Sequence, residues 1–349
     1  MVPRYDVVVI GASAGGLEAL TNLVAALPRG LPVALFVVVH ITPTATSNLP
    51  AILCRHGPLA AKHPTDDEPI EPGTIYVAPP DHHLLVRPGR VRLARGPREN
   101  GHRPAVDPLF RSAALHYGPR VIGVVLSGNL DDGSAGLIAI KARGGLALVQ
   151  DPGEASFPGM PRSAVDNVAV DACLPVAALA EEIARRARVP VAQGGPVSDD
   201  MRIETDMAEI DAAAYGDTSE HPGTPSVYGC PECGGVLWEI QEGDLIRFCC
   251  RVGHAYSSDS LLAEQGDRLE SALWAALRAL EEERSLAERL AARARERGSG
   301  AASRFEARAR DAAARSDLIR SVLISGQTGG DRPRRPGNGR RRADAAGRP

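Results

Sequence analysis

From its first residues to about position 190 the chain alternates short Val/Ile/Leu runs with Ala/Leu-rich stretches of helical spacing. The runs are Val7–Ile10, Val33–His40, Thr74–Ala78, Val121–Ser127 and Leu146–Gln150. Uninterrupted apolar runs of this length suit strands buried on both faces. Helices are expected over Leu17–Ala26, Pro108–His116, Ala135–Arg143, Pro161–Asn167 and Val176–Arg186. The alternation predicts βαβ units and a doubly wound, mostly parallel, Rossmann-like α/β sheet. Tyr76–Leu93, turning at Pro88-Gly89, reads as a β-hairpin.

The pattern changes after 190. Residues 191–226 are acidic and poor in large apolar side chains, which reads as a linker with room for one helical turn. Residues 227–256 hold a cysteine cluster and read as a small zinc ribbon. Over 257–325 Leu262, Leu269, Leu273, Leu277, Leu280, Leu286 and Leu290 recur at helical spacing, and Gly298-Ser299-Gly300 interrupts them. That predicts a helical hairpin. The Arg-rich end, 326–349, is expected to be disordered.

Composition narrows the functional classes. The chain has 349 residues, 44% apolar and 24% charged, with a net charge of −3. This is an ordinary soluble balance; it argues against a basic coat for nucleic acid. No apolar run is long enough to span a membrane, and no signal peptide is legible. Four of the six cysteines fall within residues 230–250. That spacing suggests one metal site in a reducing cytoplasm rather than a disulfide framework.

The first chemical motif is VVVIGASAGGLEAL, Val7 to Leu20: a buried strand, a Gly-rich turn, then a helix. A dinucleotide site wants Gly where Ser13 stands and a carboxylate where the next strand ends in His40. A P-loop wants Lys-Ser/Thr where Leu17-Glu18 stand. Ser13 is therefore open to two further readings, a helix cap or a nucleophile at a strand's carboxyl end. His40 ends the second strand, and Asp131-Asp132 follow the strand VIGVVLS. Ser, His and Asp at three strand ends form a candidate nucleophile, base and orienting acid.

With those segments in place, residues 5 to about 190 resemble the catalytic domain of the chemotaxis protein-glutamate methylesterases, the CheB family. The resemblance rests on GASAGG (11–16), VVVHI (37–41), IYVAPPDHHLLV (75–86), RPAVDPLFRSAA (103–114), VVLSGNLDDGSAGL (124–137) and the turn Gly159–Arg162. It implies that Ser13 is the nucleophile, His40 the base and Asp132, rather than Asp131, the acid; substitution of Asp131 is expected to matter little. It implies hydrolysis of glutamyl methyl esters, and deamidation of glutamines, on methyl-accepting chemotaxis receptors, with no cofactor for catalysis. Other chemosensory signalling proteins are further expected partners. The backbone near Ala14, with Asn129, is expected to bind the oxyanion. Asn129 stands where family members often carry Met. The family's receiver domain has no room before the Ser13 strand. A catalytically weak signalling adaptor is the alternative, and a nucleotide-binding module a distant third.

In the cysteine cluster, Cys230-x-x-Cys233 forms a zinc knuckle with the glycines that follow. Cys249 and Cys250 are adjacent, so an extended chain sends them to opposite faces. Cys250-x-x-x-His254 resembles the second half-site of C-terminal modules appended to some members of the same family. The expected ligands are Cys230, Cys233, Cys250 and His254. Cys54 and Cys173 are expected to be buried. Arg103 and Asp107 match a family segment near the substrate groove, and otherwise read as a salt link at a helix start. The 227–325 stretch is expected either to act as one unit docking onto the helices of a receptor or signalling partner, or to form a self-contained hairpin or a homodimer through the same Leu stripe.

Overall fold

The computed structural model describes residues 4–191, 194–209 and 223–326. The chain divides into two compact units, Met1–Gln265 and Gly266–Pro349. The Arg-rich end from 327 on lies outside the described residues.

The first unit is built on a seven-stranded parallel sheet of order β3-β4-β2-β1-β7-β8-β9. Its strands are β1 (Val7–Ala12), β2 (Ala34–Val39), β3 (Ala60–Lys62), β4 (Thr74–Val77), β7 (Val121–Val125), β8 (Leu146–Gln150) and β9 (Ala172–Leu174). Every residue of β1 is buried. Val8, Ile10 and Ala12 face one core, while Val7 and Val9 face the other. This is why the run is apolar without alternation. Helices α1 (Gly16–Ala26), α2 (Leu49–His56) and α6 (Val176–Arg186) pack on the first face. Helices α3 (Val106–Tyr117), α4 (Ser134–Ala142) and α5 (Gly159–Asn167) pack on the second.

The expected hairpin is shorter than read: β5 (His83–Arg87) pairs with β6 (Arg90–Ala94), and Tyr76 belongs to the parallel sheet through β4. Cys54 and Cys173 are exposed, correcting their expected burial.

After β1 the chain adds β2 beside it, then the edge strand β3, then β4 between β3 and β2, and returns to place β7 on the other side of β1. The order reverses there, so the loops after β1, β2 and β7 meet at one crevice beyond their carboxyl ends.

The acidic stretch is more than a linker. Asp199–Glu209 forms an eleven-residue helix, α7, with Met201, Glu204, Thr205, Met207 and Ala208 buried. Downstream lies a four-stranded antiparallel sheet, β10 (Thr224–Gly229), β11 (Val236–Glu242), β12 (Leu245–Cys250) and β13 (Ala255–Ser257). This sheet belongs to the first unit. Residues up to 265 thus fall in the same compact unit as the α/β sheet, and 227–325 does not stand as one unit by itself.

The joint is polar and buried. Arg247 on β12 pairs with Glu204 on α7 at 2.7 Å, and Glu204 also meets Arg111 on α3 at 3.3 Å. Arg111 pairs in turn with Glu99. Buried charges survive only when paired in this way. Burial pushes Glu204 up, but Arg247 and Arg111 outweigh it and hold its carboxyl below the usual range.

Helices α8 (Ser258–Glu296) and α9 (Ala302–Gly326) supply the second unit. Its buried residues are mostly small: Ala287, Ala291, Ala294, Ala309, Ala312 and Ser316, with Leu277 and Leu323. The predicted Leu stripe is not one buried face, because Leu262, Leu269 and Leu286 are exposed. Small side chains at helical spacing form the seam instead. No described helix is long and apolar enough to cross a membrane.

Candidate active site

Ser13 follows β1 in a turn where Gly15 adopts φ 69°. A Cβ at Gly15 would also stand 2.8 Å from Ser127 Oγ, so glycine serves both conformation and space. Gly15 is the N-cap of α1 and no side chain caps it, so Ser13 is not a helix cap. Its hydroxyl lies 3.1 Å from His40 Nδ1. His40 directly follows β2, with its backbone N–H donating to the Ala12 carbonyl at 3.3 Å. The other ring nitrogen, Nε2, lies 2.7 Å from Asp132 Oδ2. Both partners are nearly buried, with side chains 7% and 3% exposed. The hydroxyl thus faces Nδ1 and the acid faces Nε2, the reverse of the nitrogens used in serine proteases. A proton on Nε2 leaves the Nδ1 lone pair free to accept from Ser13.

Asp132 is tightly held. Oδ2 also accepts the Val106 N–H at 2.7 Å, and Oδ1 accepts the Asp107 N–H at 3.1 Å and Asn100 Nδ2 at 3.0 Å. The start of α3 can supply these N–H groups because β1 has glycine beside it. A Cβ at Gly11 would stand 2.3 Å from Val106 Cγ1. Burial alone would raise the Asp132 pKa. The hydrogen bond and charge of His40, with the Val106 N–H, outweigh it and hold Asp132 well below the carboxylate range.

Several neighbours escaped the sequence reading. His102 stacks on His40, ring centroids 3.8 Å apart and planes 16° apart. Burial, reinforced by the charge of His40, pushes the His102 pKa down to about 3, so it stays neutral beside the other ring. Ser127 Oγ donates to the Ala14 carbonyl at 2.8 Å and accepts the Phe157 N–H at 3.0 Å, tying the Ser13 turn to the loop before α5. Asp107 and Arg103 form no salt link with each other. Arg103 pairs with Asp81, while Asp107 accepts the N–H groups of Gly133 and Gly136 at the start of α4. Asp131 is no bystander: it is buried, and its Oδ1 accepts the hydroxyls of Ser257 at 2.7 Å and Ser260 at 3.0 Å.

Ala14 is half-buried, and among the described residues its N–H makes no hydrogen bond within the protein. Asn129 lies exposed on the loop between β7 and α4. A carbonyl approaching Ser13 would find the turn N–H groups and the positive end of α1 on its far side.

Far along the chain, ligand atoms of Cys230, Cys233, Cys250 and His254 all lie within 4.8 Å of one another. Cys233 and Cys250 sulfurs are 3.6 Å apart, and Cys250 Sγ is 3.5 Å from His254 Nδ1. Tetrahedral zinc–thiolate bonds of about 2.3 Å require ligand separations of roughly 3.8 Å. The donor set therefore fits a metal ion. Cys249 faces the other way, buried among Met207, Ile240 and Ala255, and burial pushes its thiol pKa up.

Known proteins resemble the first half of the chain. Residues 8–183 match the family model described as CheB methylesterase. A relative from Leptospira interrogans is 38% identical over 179 residues, covering 51% of this chain and 93% of that one. The protein-glutamate methylesterase/protein-glutamine glutaminase 2 of Anaeromyxobacter dehalogenans is 40% identical, and the match covers 53% of each chain. The crystal structure of the Thermotoga maritima CheB methylesterase catalytic domain superposes with a TM-score of 0.50 at 33% identity, covering 52% of this chain and 99% of that one.

Proposed function

The chain belongs to the CheB methylesterase family, and from that premise we propose that Ser13, His40 and Asp132 hydrolyse glutamyl methyl esters on methyl-accepting chemotaxis receptors. Ser13 Oγ attacks the ester carbonyl carbon while His40 Nδ1 takes its proton. The tetrahedral oxyanion is received by the Ala14 N–H, with Asn129 assigned as a second donor. Collapse expels methanol, which takes its proton from His40, and leaves a glutamyl ester on Ser13. Water, deprotonated by His40, then releases the glutamate and frees Ser13. Throughout, Asp132 holds the imidazole and stabilises its protonated form. A glutamine side chain presents the same carbonyl with ammonia as leaving group, so one site serves both reactions named for the relatives.

The observation that carries this reading is the continuous Ser13–His40–Asp132 hydrogen-bonded chain, 3.1 Å and 2.7 Å. Methanol release from a methylated receptor by the purified chain tests it. Ser13→Ala is expected to abolish release with the thermal melt unchanged. Release at the wild-type rate by that variant would remove the proposal.

The Cys230, Cys233, Cys250 and His254 set is assigned to a structural zinc ion in a ribbon formed by β10–β13. A bound ion would cross-link the knuckle after β10 to the turn after β12. Zinc content is expected to be one per chain, retained in Cys249→Ser and lost in Cys250→Ser. The opposite ranking would move the ligand to the other cysteine.

A further inference from the structure

Two buried connections run from the β13–α8 junction to the loop that carries Asp132. The first passes through Asn100. This residue and Gly101 take φ of 52° and 74° in a tight turn closed by paired hydrogen bonds between Glu99 and His102. That is a type I′ turn, for which Asn-Gly is the favoured pair. Every polar group of Asn100 outside its carbonyl is used. Its Nδ2 donates to Asp132 Oδ1 at 3.0 Å and to Asp107 Oδ2 at 3.1 Å. Its Oδ1 accepts the Ser257 N–H at 3.0 Å, and its own N–H donates to the Ala255 carbonyl at 2.7 Å. The amide therefore bridges β13 and the carboxylate facing His40 by direct hydrogen bonds.

The second connection passes through Asp131, the neighbour of Asp132. Ser257 Oγ accepts the Ser260 N–H at 3.1 Å, capping α8, and donates to Asp131 Oδ1 at 2.7 Å. Ser260 adds a second hydroxyl at 3.0 Å. The Asp131 carboxylate so lies at the N-terminus of α8, where the helix favours negative charge. Adjacent carboxylates on the β7–α4 loop are thus both anchored by the same three-residue strand and helix start.

We propose that the β13–α8 junction is a positioning element of the active site, which through Asn100 and Asp131 fixes the Asp132 carboxylate against His40. This rests on the reading that Asp132 orients His40. Without Asn100, Oδ1 keeps only the Asp107 N–H, and the carboxylate can rotate out of line with Nε2. Asn100 is a positioning residue: it touches neither substrate nor the reacting atoms.

The full-length chain and a glutamyl methyl ester peptide provide the test, with kcat and KM measured separately. Asn100→Gly keeps the type I′ backbone and removes only the amide. It is expected to lower kcat about 10–100-fold with KM within about twofold, the signature of lost alignment rather than lost binding. The double variant Ser257→Ala/Ser260→Ala, which leaves the Asn100 bridge intact, is expected to show a smaller kcat loss of the same kind. Ser258→Ala, whose hydroxyl bonds the Ile246 carbonyl instead, is expected to behave as wild type. Asp132→Asn separates the two levels. Wild-type turnover in Asp132→Asn would sink the proposed acid itself. A crippled Asp132→Asn beside wild-type kcat in both junction variants would overturn the positioning role alone; should Asn100→Gly fail to fold, the serine pair decides.

Discussion

Arginine–carboxylate pairs in two regions of the chain achieve different things. At the joint between the parallel sheet and the C-terminal antiparallel sheet, Arg247 and Glu204 are each 3% exposed, and Arg111 and Glu99 are buried beside them. In the helical hairpin Arg320 meets Glu281 with side chains 46% and 45% exposed, and Arg308 meets Glu283 similarly in the open. The same chemistry is a buried lock in one unit and a solvated fringe in the other. Desolvation makes the difference. A buried charge that loses its partner has no water to turn to, whereas an exposed one simply rehydrates. The sheet that carries the cysteine cluster is accordingly part of the catalytic unit.

The largest expected effect tests that lock. Arg247→Met leaves Glu204 with Arg111 alone and strands Glu242, which Arg247 meets at 3.2 Å. We expect a loss of about 3–5 kcal/mol in chemical denaturation of the first unit. The double variant Arg247→Met/Glu204→Met, which removes both charges, should recover part of it. A single-variant loss below about 1 kcal/mol would place the joint in the same class as the hairpin.

This joint also marks where sequence reading stopped. Ser13 and His40 were legible because each directly follows a buried strand, and strand ends of a parallel sheet converge; Asp131-Asp132 were legible as the pair on the loop after a third strand, and the resemblance singled out Asp132. Cys230 and Cys233 were legible from their local spacing, and Cys250 and His254 from the resemblance; the structure brings the four ligand atoms together. Glu204 was not. It sits in an acidic stretch with few large apolar residues, and its partner Arg247 is 43 positions away. Nothing local distinguishes a carboxylate about to be buried from one in solvent. Asn100 had a usable signal, the Asn-Gly pair of a type I′ turn, but its bond to Ser257 spans 157 positions. The Leu stripe misled because Leu at helical spacing was taken for a seam that alanines form.

Acidification gives a second, smaller contrast. His83 is fully buried with Nε2 donating to the Pro97 carbonyl at 2.8 Å, and burial pushes its pKa down to about 4. Unfolded, it would titrate near 6.5. The unfolded state therefore binds the proton first. The stability is fully present above about pH 6.5 and is lost as pH falls toward 4. Over that window His83 accounts for about 2–3 kcal/mol, and His102 acts in the same direction. No histidine follows His254, so the hairpin has none to titrate. Urea midpoints for the first unit should fall between pH 7 and 4.5 while helical ellipticity from the hairpin changes little. His83→Gln should flatten the first slope; an unchanged slope would remove His83 as its source.

The smallest effect belongs to the hairpin and completes the contrast. Arg320 reaches Glu281 at 2.6 Å and Asp317 at 2.8 Å, a geometry no worse than that of the buried joint. Distance alone would rank the two alike. Exposure does not, because water and salt screen the pair, and two long side chains lose rotamer freedom to hold it. Arg320→Ala should therefore cost no more than about 0.5 kcal/mol, and most of that should vanish in 1 M salt, where the screening length is about 3 Å. The Arg247→Met loss should persist at the same salt, since ions do not enter the joint. Paired melts at low and high salt make the decision. An Arg320→Ala loss above about 1 kcal/mol that survives high salt would mean the hairpin pairs are structural too, and that exposure is not what separates the two regions.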